Sequence, residues 1–261
     1  MYRAEGRAGV APYVTAGDGG LETTREVLLA LDRAGAACVE LGVPFSDPIA
    51  DGPILQAAAQ RALESGTNLK GILEMVREVR SAGCEMPIAL FSYANPLYSM
   101  GWENAAKDSK RAGIDGWLVP DMIPSQAQAM RAAAEGQGLA CIFFVAPTSS
   151  DERIAAAAQA SQGFLYAIGR VGVTGANTLL TEETLDFLQR LRKSCDLPIG
   201  VGFGLRSADQ IAAVTEHAEL AIVGSAFVQR LRDAYEVNPT PSHVAAEAAT
   251  YLTELQKGLR P

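Results

Sequence analysis

Glu40 is the residue of this 261-residue chain whose setting points most directly to proton transfer. It interrupts the apolar run Cys38-Val39-Glu40-Leu41-Gly42-Val43, where a solvated carboxylate has no place. On a pleated strand Cys38, Glu40 and Gly42 share one face, and Val39, Leu41 and Val43 share the other. The bulky set suits packing against helices, which turns Glu40 inward. Burial disfavours the charged form of a carboxyl and moves its pKa toward values useful to an acid/base catalyst. A structural Glu paired with an inward cation is the competing reading, but no Lys or Arg falls within any expected strand. Two further acids, Asp47 and Asp51, follow in the loop 44–53, which Pro44, Pro48 and Pro53 stiffen through their fixed φ. They offer a carboxylate pair across a substrate, although a loop aspartate is more often a turn former or cap. Spacing alone does not decide between these.

The elements that must position these acids alternate along the chain. Short runs rich in Val, Ile, Phe and Tyr lie at 11–15, 37–43, 87–93, 116–120, 140–146, 164–168, 199–203 and 220–223. Most are continuously apolar, as parallel strands covered on both faces should be. Helical segments separate them. One spans 21–34 and ends at Gly35; two lie within 54–81, parted near Gly66-Thr67. Ser150 or Asp151, Thr181, and the capping-box pattern Ser207-Ala208-Asp209-Gln210 open three more. A last helix starts at Pro241-Ser242 and places Val244, Ala248, Tyr251, Leu252 and Leu255 on one face. Eight β-then-α units predict an α/β fold, a (β/α)8 TIM barrel spanning 1–261 as a single domain with extra helices. An open doubly wound sheet is the other arrangement of the same pattern.

Barrel enzymes carry their chemistry at the C-terminal ends of the strands. Gly202-Phe203-Gly204 and Gly224-Ser225 close the last two expected strands, and the second opens a helix. Backbone N–H groups at such turns can hold a phosphate, although ordinary turn glycines would look alike. The run 169–178, with Gly169, Gly172 and Gly175, reads either as a lid or as a plain flexible loop. His217 and His243 lie in expected helices away from the strand ends, which argues against histidine catalysis or a histidine metal site. A net charge of -8 and a pI near 4.9 argue against nucleic acid and anionic membranes. Cys38, Cys84, Cys141 and Cys195 form no CxxC pair, so buried free thiols are expected rather than zinc or disulfides. No apolar run reaches membrane-spanning length, so a cytoplasmic location is expected.

The run from Val39 through Pro53, Val-Glu-Leu-Gly-Val-Pro-Phe-Ser-Asp-Pro-Ile-Ala-Asp-Gly-Pro, closely resembles the signature of the tryptophan synthase alpha chain family. Tyr93-Ala94-Asn95-Pro96, Val119-Pro120-Asp121, Gly172-Val173-Thr174-Gly175, Gly202-Phe203-Gly204 and Gly224-Ser225-Ala226 resemble further family blocks in the same order. The resemblance implies a carbon–carbon lyase that reversibly cleaves indole-3-glycerol phosphate to indole and glyceraldehyde 3-phosphate. It implies Glu40 as principal acid/base, Asp51 at the indole nitrogen, and Tyr166 placing the substrate. Tyr13 and Tyr93 would line the indole pocket, while Thr174, Gly175, Gly202, Phe203, Gly204, Gly224 and Ser225 would surround the phosphate. It also implies an αββα complex in which pyridoxal phosphate belongs to the beta chain and this chain holds no cofactor. Pro44, Asp47, Asn95 and Pro96 would then face the beta chain.

Several positions depart from the family pattern. Only 1–10 precede the first strand, without helical period, so a less protected barrel floor is expected. Gly19 stands in place of a usual proline and should loosen the first loop; Ile54 replaces a frequent Thr, and Arg206 a small residue. Neither Glu40 nor Asp51 is affected. A free-standing lyase, a weak subunit that mainly activates the beta chain, and another phosphate-binding barrel are the remaining functional readings.

Overall fold

The computed structural model describes residues 8–169, 180–202 and 204–259. Its strands are β1 (Gly9–Thr15), β2 (Val39–Gly42), β3 (Ile88–Phe91), β4 (Gly116–Leu118), β5 (Ala140–Ile142), β6 (Phe144–Val145), β7 (Leu165–Ile168), β8 (Ile199–Gly202) and β9 (Leu220–Val223). Every pair is parallel, in the order β5-β4-β3-β2-β1-β9-β8-β7-β6. Each strand thus neighbours its partners in sequence, which is the order of a barrel; a doubly wound sheet reverses direction at a switch point.

The eight expected strands appear as nine segments because the fifth divides at Phe143. The Phe143 N–H leaves the ladder to donate to Ser161 Oγ at 3.0 Å, while its carbonyl accepts the Tyr166 N–H at 3.1 Å. Residues before Phe143 pair with β4 and those after it pair with β7. The two ends of the sheet therefore meet at one residue, and the barrel closes there.

Around the sheet lie α1 (Leu21–Arg33), α2 (Pro53–Glu64), α3 (Leu69–Ser81), α4 (Ala94–Met100), α5 (Trp102–Ala112), α6 (Gln128–Gly136), α7 (Asp151–Ala160), α8 (Glu182–Ser194), α9 (Ala208–Thr215), α10 (Ser225–Val237) and α11 (Pro241–Gln256). The expected caps form: Ser150, Thr181 and Ser207 accept from the N–H groups of Arg153, Thr184 and Gln210. Gly35 ends α1 with φ +77, its N–H bonded to Asp32 O and that of Ala36 to Leu31 O, the paired bonds of a Schellman motif. Gln256 of α11 donates to the Ala34 and Gly35 carbonyls, so the last helix locks onto the end of the first.

Two apolar layers result. Val39, Leu41 and Val43 pack outward with Leu28, Ile72 and Leu90, whereas Ala11, Cys38, Ala89, Leu118, Ile142, Phe164, Tyr166 and Ile222 fill the barrel interior. Cys38, Cys84 and Cys141 are buried free thiols and Cys195 is half-buried. His217 falls in an exposed turn after α9 rather than in a helix, and His243 lies half-buried on α11. Among the described residues no helix is long and apolar enough to cross a membrane. The segment 1–7, on which the expectation of a bare barrel floor rests, lies outside the described residues.

Candidate active site

The pleat aims Glu40 inward as expected, and its side chain is 1% exposed. β2 runs between β1 and β3, with Glu40 beside Tyr13 and Ala89. Across the barrel the Tyr166 hydroxyl donates to Glu40 Oε2 at 3.5 Å, and Oε1 has no partner among the described residues. Burial pushes the Glu40 carboxyl up to about 8, offset only in part by the Tyr166 hydrogen bond. The group is therefore largely protonated at neutral pH and directs an uncommitted oxygen into the barrel. A cationic partner, the alternative open in the sequence, is not found among the described residues.

Tyr166 keeps its place through ring contacts. Its centroid lies 4.6 Å from that of Phe144 and 6.0 Å from that of Phe164. Gly202 is glycine for the same reason, since a Cβ there would meet Tyr166 Oη at 2.8 Å. Tyr13 packs edge-on against Phe91, and a Cβ at Gly42 would sit 2.0 Å from Tyr13 Oη. These two inward glycines make room for tyrosines of this chain. For Gly202 this is a requirement that sequence reasoning had given to the phosphate alone.

Asp51 sits half-buried in the loop between β2 and α2. Burial raises its carboxyl to about 6, and the nearby Tyr93 hydroxyl works in the opposite direction. Tyr93 also accepts the Ala50 N–H at 2.9 Å. Its hydroxyl is thus engaged in holding the Asp51 loop, a task beyond the expected lining of an indole pocket. Asp47 does not join the pair: it is exposed and accepts a bond from Ser46. On the same rim Asn95 is exposed and Pro96 half-buried, whereas Pro44, also expected to face a partner, is buried.

Gly204 and Gly224 stand at the ends of β8 and β9, and a Cβ at either would meet nothing within 4 Å among the described residues. Packing of the described residues therefore leaves the space above both turns open. Gly204 adopts φ +74, a left-handed conformation that favours glycine. Ser225 opens α10, whose N-terminus carries no side-chain cap, so the N–H groups of its first turn face the same end. Thr174, Gly175 and Phe203, together with the expected lid over 170–178, lie outside the described residues.

The first loop is tied down despite Gly19. Gly17 N–H donates to Thr24 Oγ1, and Arg61 of α2 grips both oxygens of Asp18 at 2.8 and 2.7 Å. Gly19 has φ +83, which proline cannot adopt, and a Cβ would strike the Tyr235 ring. The Asp18–Arg61 pair had no sequence signal, because its partners are remote and neither stands in a motif. Arg206 is exposed; its N–H bonds Gln210 and its carbonyl accepts from Tyr251. Ile54 packs beside Tyr13. Among the described residues no group of three or more His, Cys, Asp and Glu side chains is placed to hold a metal.

Comparisons with known proteins place the chain as a whole. Residues 1–259 match the family described as tryptophan synthase alpha chain. A tryptophan synthase alpha chain of Synechococcus elongatus is 46% identical over 232 residues, covering 88% of this chain and 87% of the relative. Tryptophan synthase subunit alpha from Legionella pneumophila superposes with a TM-score of 0.87 at 32% identity, over 98% of this chain and 94% of that one. A chain of the α2β2 tryptophan synthase complex from Pyrococcus furiosus gives 0.87 at 33% identity, over 95% and 98%. A buried acid beside a tyrosine hydroxyl, a second acid on the rim and two open glycine turns thus occur in a chain that belongs to the tryptophan synthase alpha chain family.

Proposed function

We propose that this chain, acting as one barrel domain, cleaves indole-3-glycerol phosphate reversibly to indole and D-glyceraldehyde 3-phosphate. The observation that carries this reading is the division of labour between two carboxyls: burial holds Glu40 near 8 and Asp51 near 6. At neutral pH one is mostly an acid and the other mostly a carboxylate, the separation that acid/base chemistry requires.

Glu40 delivers its proton to indole C3, which becomes tetrahedral and leaves positive charge on the ring nitrogen. Asp51 stabilises that charge and accepts a hydrogen bond from the nitrogen. The Glu40 carboxylate then takes the proton of the adjacent glycerol hydroxyl. The carbon–carbon bond breaks, its electron pair restores the aromatic ring, and the former alcohol carbon leaves as an aldehyde. Glu40 ends protonated, as it began. Tyr166 orients Glu40, Tyr13 and Tyr93 border the ring, and the turns at Gly202, Gly204, Gly224 and Ser225 hold the phosphate, with Phe203, Thr174 and Gly175 completing that end. One placed acid/base group is worth about 10²–10⁴-fold in rate.

Indole would pass to a tryptophan synthase beta chain docked on the rim formed by Asp47, Asn95 and Pro96. Support comes from the exposure of Asp47 and Asn95 and from the α2β2 complex named for the Pyrococcus relative. The test is indole formation from indole-3-glycerol phosphate by the purified chain, with and without beta chain. Activity that rises on adding beta chain and is lost in Glu40→Gln supports the proposal. Full activity in the variant refutes the mechanism, and high unaided turnover refutes the dependence on a partner.

A further inference from the structure

Asp51 has its backbone fixed locally: its N–H bonds Pro48 O at 3.1 Å and its carbonyl accepts from the Gln56 amide at 2.7 Å. The residue before it, Ala50, is held by Tyr93, which comes from a different part of the barrel and accepts the Ala50 N–H at 2.9 Å. Tyr93 is the N-cap residue of α4, with φ -65 and ψ 160, and its side chain makes no capping bond; its hydroxyl reaches the Ala50 N–H instead. The cap of α4 comes from elsewhere. It comes from Asp121, in the turn after β4, whose carboxylate accepts the Ala94 N–H through both oxygens at 2.9 and 3.2 Å. The Tyr93 ring is steadied on its other side by Phe45, 5.3 Å away between centroids.

We propose that Asp121 is a positioning residue for the reaction: by capping Ala94 it sets the start of α4, and through it the Tyr93 hydroxyl that holds Ala50 and so places the neighbouring Asp51. The Asp121 carboxylate bonds the Ala94 N–H and, among the described residues, makes no hydrogen bond to either catalytic carboxyl. It acts through a chain of two hydrogen-bonded contacts, Asp121 to Ala94 and Tyr93 to Ala50, the neighbour of Asp51. The proposal rests on the reading of Asp51 as the group that meets the indole nitrogen.

The test is a double-mutant cycle on indole formation by the full-length chain, using Asp121→Ala, Tyr93→Phe and the two together. Loss of one capping acceptor should lower kcat by about fivefold in Asp121→Ala, with KM changed less than about twofold. Because Asp121 works through Tyr93, the double variant should be no slower than Tyr93→Phe alone. Asp121→Asn keeps an acceptor for Ala94 N–H and should recover most of the lost rate. Losses that multiply in the double variant, or an Asn variant as slow as the Ala variant, overturn the proposal. Should Asp121→Ala fail to fold by circular dichroism, Ala94→Pro removes the same bond from the donor side. Proline suits the first helical position, and Tyr93 already has the extended backbone that a following proline demands. An Ala94→Pro chain with unchanged kcat also overturns it. The reading beneath is tested separately: if Asp51→Asn keeps wild-type activity, the role of Asp51 fails, whatever the cycle shows.

Discussion

Glu40→Gln replaces the buried acid with a neutral side chain of the same shape, and its effect on stability reports how Glu40 is protonated. In the folded chain the carboxyl titrates near 8, against 4.5 when unperturbed. Below about 4.5 it is protonated in both folded and unfolded states and makes no difference to stability. As pH rises from there, only the unfolded chain gives up the proton, and wild type loses about 1.4 kcal/mol per pH unit. The loss levels off above about 8, where both states are ionised. Glu40 is 1% exposed, so solvent screening does little to reduce this. Glutamine has no proton to lose, so the stability of the variant relative to wild type should grow by about 3 kcal/mol between pH 5 and pH 8. The new amide has no ready partner beside the site of Oε1, a penalty of about 1–3 kcal/mol that is the same at each pH and cancels from the comparison. Urea unfolding of both proteins across that range, with unchanged m, measures the effect. Parallel stability curves would show that Glu40 is not held protonated, and its role as the acid would fall. Indole release should drop about 10²–10⁴-fold in the same variant.

Other perturbations separate the remaining parts of the site. The pH profile of kcat/KM should rise near 6 as Asp51 ionises and fall near 8 as Glu40 loses its proton. Asp51→Asn should remove the acid limb and leave the alkaline one; a profile with both limbs intact assigns the lower pKa to another group. Tyr166→Phe deletes the hydrogen bond that lowers the Glu40 pKa, so the alkaline limb should move to higher pH, and movement to lower pH contradicts the assignment. Gly42→Ala forces a methyl group to within 2.0 Å of Tyr13 Oη. It should destabilise the fold by about 1–3 kcal/mol in urea unfolding and raise KM as Tyr13 is displaced; an unchanged protein would mean that Tyr13 is free to move.

The inward face of Glu40 was legible because side chains alternate along a strand and β2 is covered on its other face by helices. Helix ends at Gly35, Ser150, Thr181 and Ser207 were legible too, since caps depend on residues a few positions apart. The division of the fifth strand was not. It depends on Ser161, at the end of α7, taking the Phe143 N–H, and strand composition carries no trace of that bond. Tyr93 was expected only to line a pocket and Asp121 stood only within a family-like block; their bonds to Ala50 and Ala94 span turns of the barrel and leave no local pattern. Gly202 was read as a phosphate turn, while the ring of Tyr166 that crowds it comes from the neighbouring strand β7.

Glu40 and Asp51 are held in opposite protonation states by the same physical cause acting to different degrees. Both carboxyls are raised by desolvation and both are lowered by one tyrosine hydroxyl, so the hydroxyls do not distinguish them. Depth does. Glu40 lies inside the barrel wall, whereas Asp51 is only half-buried on the rim, and the two titrate on either side of neutrality. A lysine or arginine on any neighbouring strand would stabilise the Glu40 carboxylate, pull its pKa down and leave no proton to deliver at neutral pH. The absence of basic residues from all the expected strands is therefore more than evidence against a structural ion pair. It is the condition that lets a carboxyl serve as an acid at neutral pH, and Asp51, which must stay charged, can do so only because its loop leaves it partly in water.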